Sequence, residues 1–296
     1  MFQYKSKINQ SKGNENDLIK TISLRKTYGI SKTPVLDSID FVLKRGECTC
    51  IVGPNGSGKT TFLNIILGII PKSSGKIILK GKIGFSPETS INFQWLSAYE
   101  NIQYYRSISN SKVNVEEYMK FLNISETGRR QMKYFSKGMK RKIDIIRAIL
   151  NEPDILVLDE PFEGLDPVTC NEITELLMKI KNSGKAILMS SHDLGYVERI
   201  ADEVLFLENG RVTKIDQHKN LYRFIFKIEK IEDFKSKTNN MELLIEKTEE
   251  LYIIYLYDAQ QKNAILKELI NCDADIIEQG FKTLEEEYVD KFKKTD

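Results

Sequence analysis

Residues 53–61 read GPNGSGKTT, and residue types in that spacing suit one task, the holding of a phosphate chain. Gly53, Gly56 and Gly58 allow the backbone to fold around an anion with its N–H groups pointing inward. A helix starting near Lys59 aims its positive dipole end at the same point. Pro54, Asn55 and Ser57 fill the remaining loop positions. Lys59 can neutralise the outer phosphates, the Thr60 hydroxyl can ligate magnesium, and Thr61 carries the loop into the helix. The apolar run Cys48–Val52 before the loop and TTFLNIIL after it provide the strand and helix that the motif requires, so a bare glycine turn is a poor account of it.

Two adjacent carboxylates make the second chemical group. Residues 155–161 read ILVLDEP, an apolar strand ending in Asp159 and Glu160. Strand packing calls for no such pair, and burying charge is costly unless something positive lies near; magnesium and phosphates at Thr60 and Lys59 would supply it. Asp159 suits the metal, while Glu160 is placed to orient or deprotonate an attacking water. At 135–139 the chain reads FSKGM and continues into the basic helix KRKIDIIRAIL. Ser136 and Gly138 at a helix start make a second anion-binding end, although a plain helix cap accounts for Ser136 equally well on its own.

The elements that must position these groups alternate. From residue 18 to about 216, the runs Cys48–Val52, Ile155–Leu158, 186–189 and 204–207 read as buried strands with amphipathic helices between them. That is the pattern of a mainly parallel sheet covered on both faces, an α/β fold. Residues 19–28 and 36–43 read instead as strands of an antiparallel layer joined by a polar turn at 31–34. Between about 88 and 150 the strand signals fade and 97–107, 115–122 and 138–150 look helical, which predicts an inserted helical subdomain. After a short strand at 211–215 charge density rises, and the order β, α, β, β, α, β over 217–296 predicts a small α+β domain of ferredoxin-like type.

Composition narrows the function class. With 296 residues the chain is long enough for one large domain and a smaller one. Forty-four Lys and Arg against 42 acids leave a net charge of +2, which gives no electrostatic argument for a nucleic-acid partner. Cys48, Cys50, Cys170 and Cys272 form no CxxC pair, and with only His192 and His218 beside them they make no Cys/His metal site; reduced thiols are the simplest reading. Residues 1–17 are polar and lack the apolar core of a signal peptide, so they read as a flexible leader. The longest apolar stretches, such as 62–70 and 252–257, fall short of the ~20 residues a membrane helix requires.

Taken in order, GPNGSGKTT, FSKGM, ILVLDEP, GLDP at 164–167 and SSH at 190–192 resemble the nucleotide-binding subunit of ATP-binding cassette (ABC) transporters over about residues 18–216. The resemblance implies a P-loop NTPase cassette with ATP and Mg2+ as cofactors. In that family FSKGM corresponds to the signature segment, which contacts ATP held by the opposite subunit, so a head-to-tail pair of cassettes is implied. Tyr28, in KTYG, matches the aromatic that stacks on adenine, although a strand-end tyrosine alone more often packs. His192 matches the switch histidine at the γ-phosphate. Asp166 matches the central polar residue of the loop linking the two sites; alone, it reads as the cap of a helix beginning near Val168.

The chain departs from the family pattern at several positions. Glu88 stands where Gln is usual beside the magnesium, and a carboxylate can still bind that ion. Lys137, Met139 and Glu163 replace more usual residues, and the span 81–84 reads as a trimmed loop. The ending, with Thr283, Leu284, Glu285, Glu286 and Tyr288 through Phe292, is similar to the close of exporter cassettes that carry an accessory domain. These features together imply an ATPase subunit, peripheral on the cytoplasmic membrane face, that works with a second cassette and a separate integral-membrane subunit to export a substrate. Two other readings stay open: a soluble ABC ATPase in translation or repair, against which a single cassette without long coiled coils argues, and a catalytically weak regulatory cassette.

Overall fold

The computed structural model describes residues 15–29, 33–215, 222–239, 241, 243–248, 250–256 and 259–286. Most of the 1–17 leader, His218 and the terminal helix expected beyond Glu286 lie outside them. The chain divides into two compact units, Met1–Ile215 and Asp216–Asp296.

In the first unit β1 (Asp17–Lys26) and β2 (Leu36–Lys44) pair antiparallel, and alternate residues of both are buried. Asp17 therefore belongs to the sheet and not to the leader. Next, β3 (Cys48–Val52) is buried at every residue, as a central strand covered on both faces must be. It delivers the chain through the glycine loop into α1 (Lys59–Ile66). Two strands follow that the sequence reading passed over. β4 (Ser74–Leu79) joins β1 antiparallel to complete a three-stranded sheet in the order β2-β1-β4. β5 (Ile83–Ser86) replaces the trimmed loop expected at 81–84. Gly84 is inside it because a Cβ there would sit 2.1 Å from the carbonyl oxygen of Ala148.

The helical stretch then appears as α2 (Ala98–Ser109), α3 (Val115–Phe121) and α4 (Lys137–Ile149). Ser97 starts α2 with a capping box: its hydroxyl accepts from Glu100 N at 3.2 Å while its own N–H donates to the Glu100 carboxylate at 2.7 Å. β6 (Ile155–Leu158), α5 (Pro167–Asn182), β7 (Ala186–Ser190), α6 (Leu194–Ile200), β8 (Glu203–Glu208) and β9 (Arg211–Ile215) complete the unit. The second sheet runs β5-β6-β7-β3-β8-β9, parallel except for the antiparallel edge strand β9.

One core joins both sheets. Ile19 and Phe41 from the antiparallel layer, Phe62 and Leu63 from α1, and Ile51, Val157 and Leu188 from the parallel sheet belong to a single buried cluster. Phe41 meets Phe62 edge to face at 5.5 Å. The helix that carries Lys59 and Thr60 is thus wedged between two sheets, which fixes the loop at its N-terminus.

The second unit holds β10 (Tyr222–Lys227), α7 (Ile231–Lys237), β11 (Leu243–Thr248), β12 (Leu251–Leu256), α8 (Lys262–Asn271) and β13 (Asp275–Phe281). Its strands lie β11-β12-β10-β13 with every pair antiparallel, the strand order of a split βαβ unit. Phe224, Phe226, Phe234, Ile254, Ile265 and Leu269 form its own core.

Candidate active site

The glycine loop fits an anion by its shape. A Cβ at Gly53 would lie 2.3 Å from the carbonyl oxygen of Leu207, and Gly58, the cap of α1, has φ +109° with Val35 and Leu36 3.1 Å from where its Cβ would be. A side chain at Gly53 would displace backbone, and one at Gly58 would be strained by the positive φ and crowded by its neighbours. Lys59 is almost wholly buried and turns back into the loop, its Nζ donating to Gly53 O at 2.8 Å and Pro54 O at 3.3 Å. The Ser57 hydroxyl is buried inside the loop without a hydrogen-bond partner. Buried hydroxyls normally have one, so a phosphate oxygen accepting from Ser57 would complete what the loop lacks.

Beside the loop, β6 ends in the two carboxylates, both buried. Thr60 Oγ1 donates to Asp159 Oδ1 at 3.3 Å, and Ser190 Oγ at the end of β7 donates to the same oxygen at 2.5 Å. Ser190 also accepts from Glu160 N at 3.0 Å, so one hydroxyl registers both acids. Glu160 adopts φ +46°, a left-handed conformation that costs a non-glycine residue about 1–3 kcal/mol and has to be held by its surroundings. Its carboxylate lies 3.8 Å from Lys59 Nζ and 2.9 Å from His192 Nδ1, and it accepts from His192 N at 3.2 Å. Lys59 and His192 therefore flank the acid that burial would otherwise penalise.

Thr60 and Asp159 could hold magnesium. Among the described residues no three His, Cys, Asp or Glu side chains are arranged as a metal cage, so a bound ion would also need phosphate or water oxygens. Glu88 has a different setting from the other two. Its carboxyl is pushed up from the ordinary range, first by burial and then by the charges of Glu163, Asp159 and Glu160, with Arg141 opposing them. It shares the field of the acidic pair without a hydrogen bond to either member.

Ser136, Gly138 and Asp166 make a second cluster. Ser136 caps α4, its hydroxyl accepting from Met139 N at 3.2 Å. Asp166 caps α5 by accepting from Thr169 N at 3.0 Å and Thr169 Oγ1 at 2.7 Å, and these bonds hold its carboxyl below the ordinary range. A Cβ at Gly138 would come within 3.0 Å of Thr169, so this threonine joins the two helix starts. Lys137 pairs with Glu163 at 3.6 Å across the same junction. Tyr28 is exposed near α1, its hydroxyl 3.5 Å from Thr61 Oγ1 and its ring 4.7 Å from Lys26 Nζ.

Thr169 and Arg141 were not among the residues singled out by sequence, and Ser190 stood only as part of the SSH string, without a role of its own. A faint signal exists for Ser190, the one polar residue closing the apolar strand AILMS.

A phosphate-shaped loop between a parallel strand and a helix, with a metal-competent acid and a flanked second carboxylate on a neighbouring strand, defines a P-loop nucleotide hydrolase. The ABC transporter family profile matches residues 36–163. The lantibiotic transport ATP-binding protein SrtF of Streptococcus pyogenes is 33% identical over 205 residues, covering 66% of this chain and 89% of that protein. An uncharacterized ABC transporter ATP-binding protein of Bacillus subtilis, YcbN, is 31% identical over 306 residues, covering 92% of this chain and 96% of its own, so that likeness reaches into the second unit. An ATP-binding cassette solved as a dimer in a post-hydrolysis state with ADP and Pi is 25% identical with a TM-score of 0.60, covering 67% of this chain and 98% of that one. The chain belongs to the ABC transporter family, as an ATP-binding subunit, and it is an ATPase.

Proposed function

We propose that this ATPase powers export through a separate integral-membrane subunit, working at the cytoplasmic membrane face as one of two paired cassettes. The observation that carries the hydrolytic part is the placing of Glu160 between Lys59 and His192, one residue from Asp159. Loop N–H groups, Ser57 and Lys59 bind and orient the phosphates, and Tyr28 stacks on the base. Thr60, Asp159 and Glu88 would hold magnesium, which when bound neutralises charge on the phosphate oxygens. Glu160 orients the attacking water and takes its proton, while His192 steadies the carboxylate and meets the outer phosphate. Ser136, Gly138 and Asp166 serve the site of the second cassette. The dimeric solved cassette supports the pairing, and the lantibiotic transport protein supports a role in transport.

Among the described residues no helix is long and apolar enough to cross a membrane. The test is therefore cell fractionation. The chain is expected to sediment with membranes and to be released by an alkaline carbonate wash, as a peripheral subunit would be. Recovery wholly in the soluble fraction, with the membrane fraction unlabelled, would overturn the membrane assignment and favour a translation or repair role.

Residues 217–296 are proposed to be an accessory domain outside the nucleotide site. A unit with its own core can often be separated at a polar linker. Truncation after Asp216 is expected to leave a folded chain that binds ATP within about threefold of the full-length affinity. Nucleotide binding and thermal unfolding, measured side by side, decide it: a soluble truncated chain that cannot bind ATP would make the tail part of the cassette core.

A further inference from the structure

Arg141 lies just over one turn into α4 and is 3% exposed. Its guanidinium donates through Nη1 to Pro87 O at 2.5 Å and through Nη2 to Glu88 O at 2.6 Å and Glu160 O at 3.3 Å. All three acceptors are backbone carbonyls, and they come from two segments, the exits of β5 and β6. Those strands pair in parallel as far as Ser86 opposite Leu158, with Asp159 N donating to Ser86 O at 2.9 Å as the closing bond. Beyond that bond the two chains part, and the planar fork of Arg141 takes over where the ladder stops.

From these contacts we infer that Arg141 is a positioning residue for hydrolysis: it ties the helix headed by Ser136 to the peptide of Glu160. The inference rests on the reading of Glu160 as the base and of Ser136 as part of the partner site. Glu160 holds its left-handed backbone because both sides of the residue are tethered, the N–H by Ser190 Oγ and the carbonyl by Arg141 and Glu163 N. Ser190 ends β7, the strand paired with β6, so its tether holds Glu160 to the sheet from which the residue has just emerged. Arg141 sits on the other side of the junction. Five residues of continuous helix connect it to Ser136, and α4 is seated on β5 where Gly84 leaves no room for a side chain beside Ala148 O. A shift of the Ser136 end, as when a second cassette engages it, is carried by the helix to the guanidinium and from there to the Glu160 peptide. Burial pulls the Arg141 guanidinium below its ordinary range, and the charges of Asp144, Glu163, Glu88 and Asp159 oppose that.

Arg141→Lys tests this, because it keeps the charge among the four carboxylates but replaces a two-pronged donor by a point one. The full chain should fold with an unchanged thermal midpoint and bind ATP within about twofold of native. Its kcat should fall about 10- to 100-fold with KM little changed, the size expected when a reacting group is slightly misplaced. In a Glu160→Gln background the same change should cost less than about twofold more, since the group it positions is already gone. Native kcat in a folded Arg141→Lys protein overturns the proposal, as does a loss of ATP affinity that matches the loss of kcat. Arg141→Gln is read by the same criteria where the lysine variant does not fold, and failure of both to fold assigns Arg141 to the fold alone. Near-normal turnover in Glu160→Gln alone refutes the underlying reading, a result visible without any Arg141 variant.

Discussion

Glu160→Gln is expected to bind ATP as tightly as the native chain and to hydrolyse it at least ~100-fold more slowly, the usual loss when a general base is removed. The amide preserves size and can still accept from His192 N, which the carboxylate does at 3.2 Å. What it loses is basicity, and with it the charge that faces Lys59 at 3.8 Å. Since the phosphate loop and Asp159 are untouched, the variant should accumulate as an ATP-bound dimer, detectable by size-exclusion chromatography with and without ATP. Near-normal turnover would move the catalytic role elsewhere, with His192 the next candidate.

Lys59→Ala should show the opposite separation, with binding lost before chemistry is reached. The Lys59 ammonium sits inside the loop on two carbonyls, so a triphosphate placed there would lose its principal counter-charge. The same substitution leaves buried Glu160 without a cation, and the two anionic groups would then repel. Titration with a fluorescent ATP analogue should give an affinity at least ~100-fold weaker than native. An affinity close to native would sink the assignment of 53–61 as the phosphate site.

What could be read from sequence follows from how local each feature is. The glycine loop, the Asp159–Glu160 pair and the α4 start are contiguous strings whose chemistry depends on neighbours in the chain. The second unit was equally legible, because its aromatic and β-branched runs are dense enough to mark strands. β4 and β5 were not: they are short, only partly buried, and interrupted by Gly75 and Gly84, whose reasons are close approaches to Ser23 O and Ala148 O. Contacts across the fold left little trace either. Ser190 reaches back 31 residues to Asp159, and Arg141 reaches back 54 to Pro87. In a basic helix such as KRKIDIIRAIL, a buried arginine looks like any solvated one until its carbonyl partners are known.

The left-handed backbone at Glu160 also bears on how such a protein drifts under mutation. Glycine and asparagine occupy that conformation at the least cost, and neither carries a carboxylate. A glutamate there accepts backbone strain and the burial of a charge together, and the proposed role as base would be its reason to stay. Relaxed selection would therefore find replacements at this position that lose hydrolysis and gain stability, so decay toward a cassette that binds ATP without consuming it runs thermodynamically downhill.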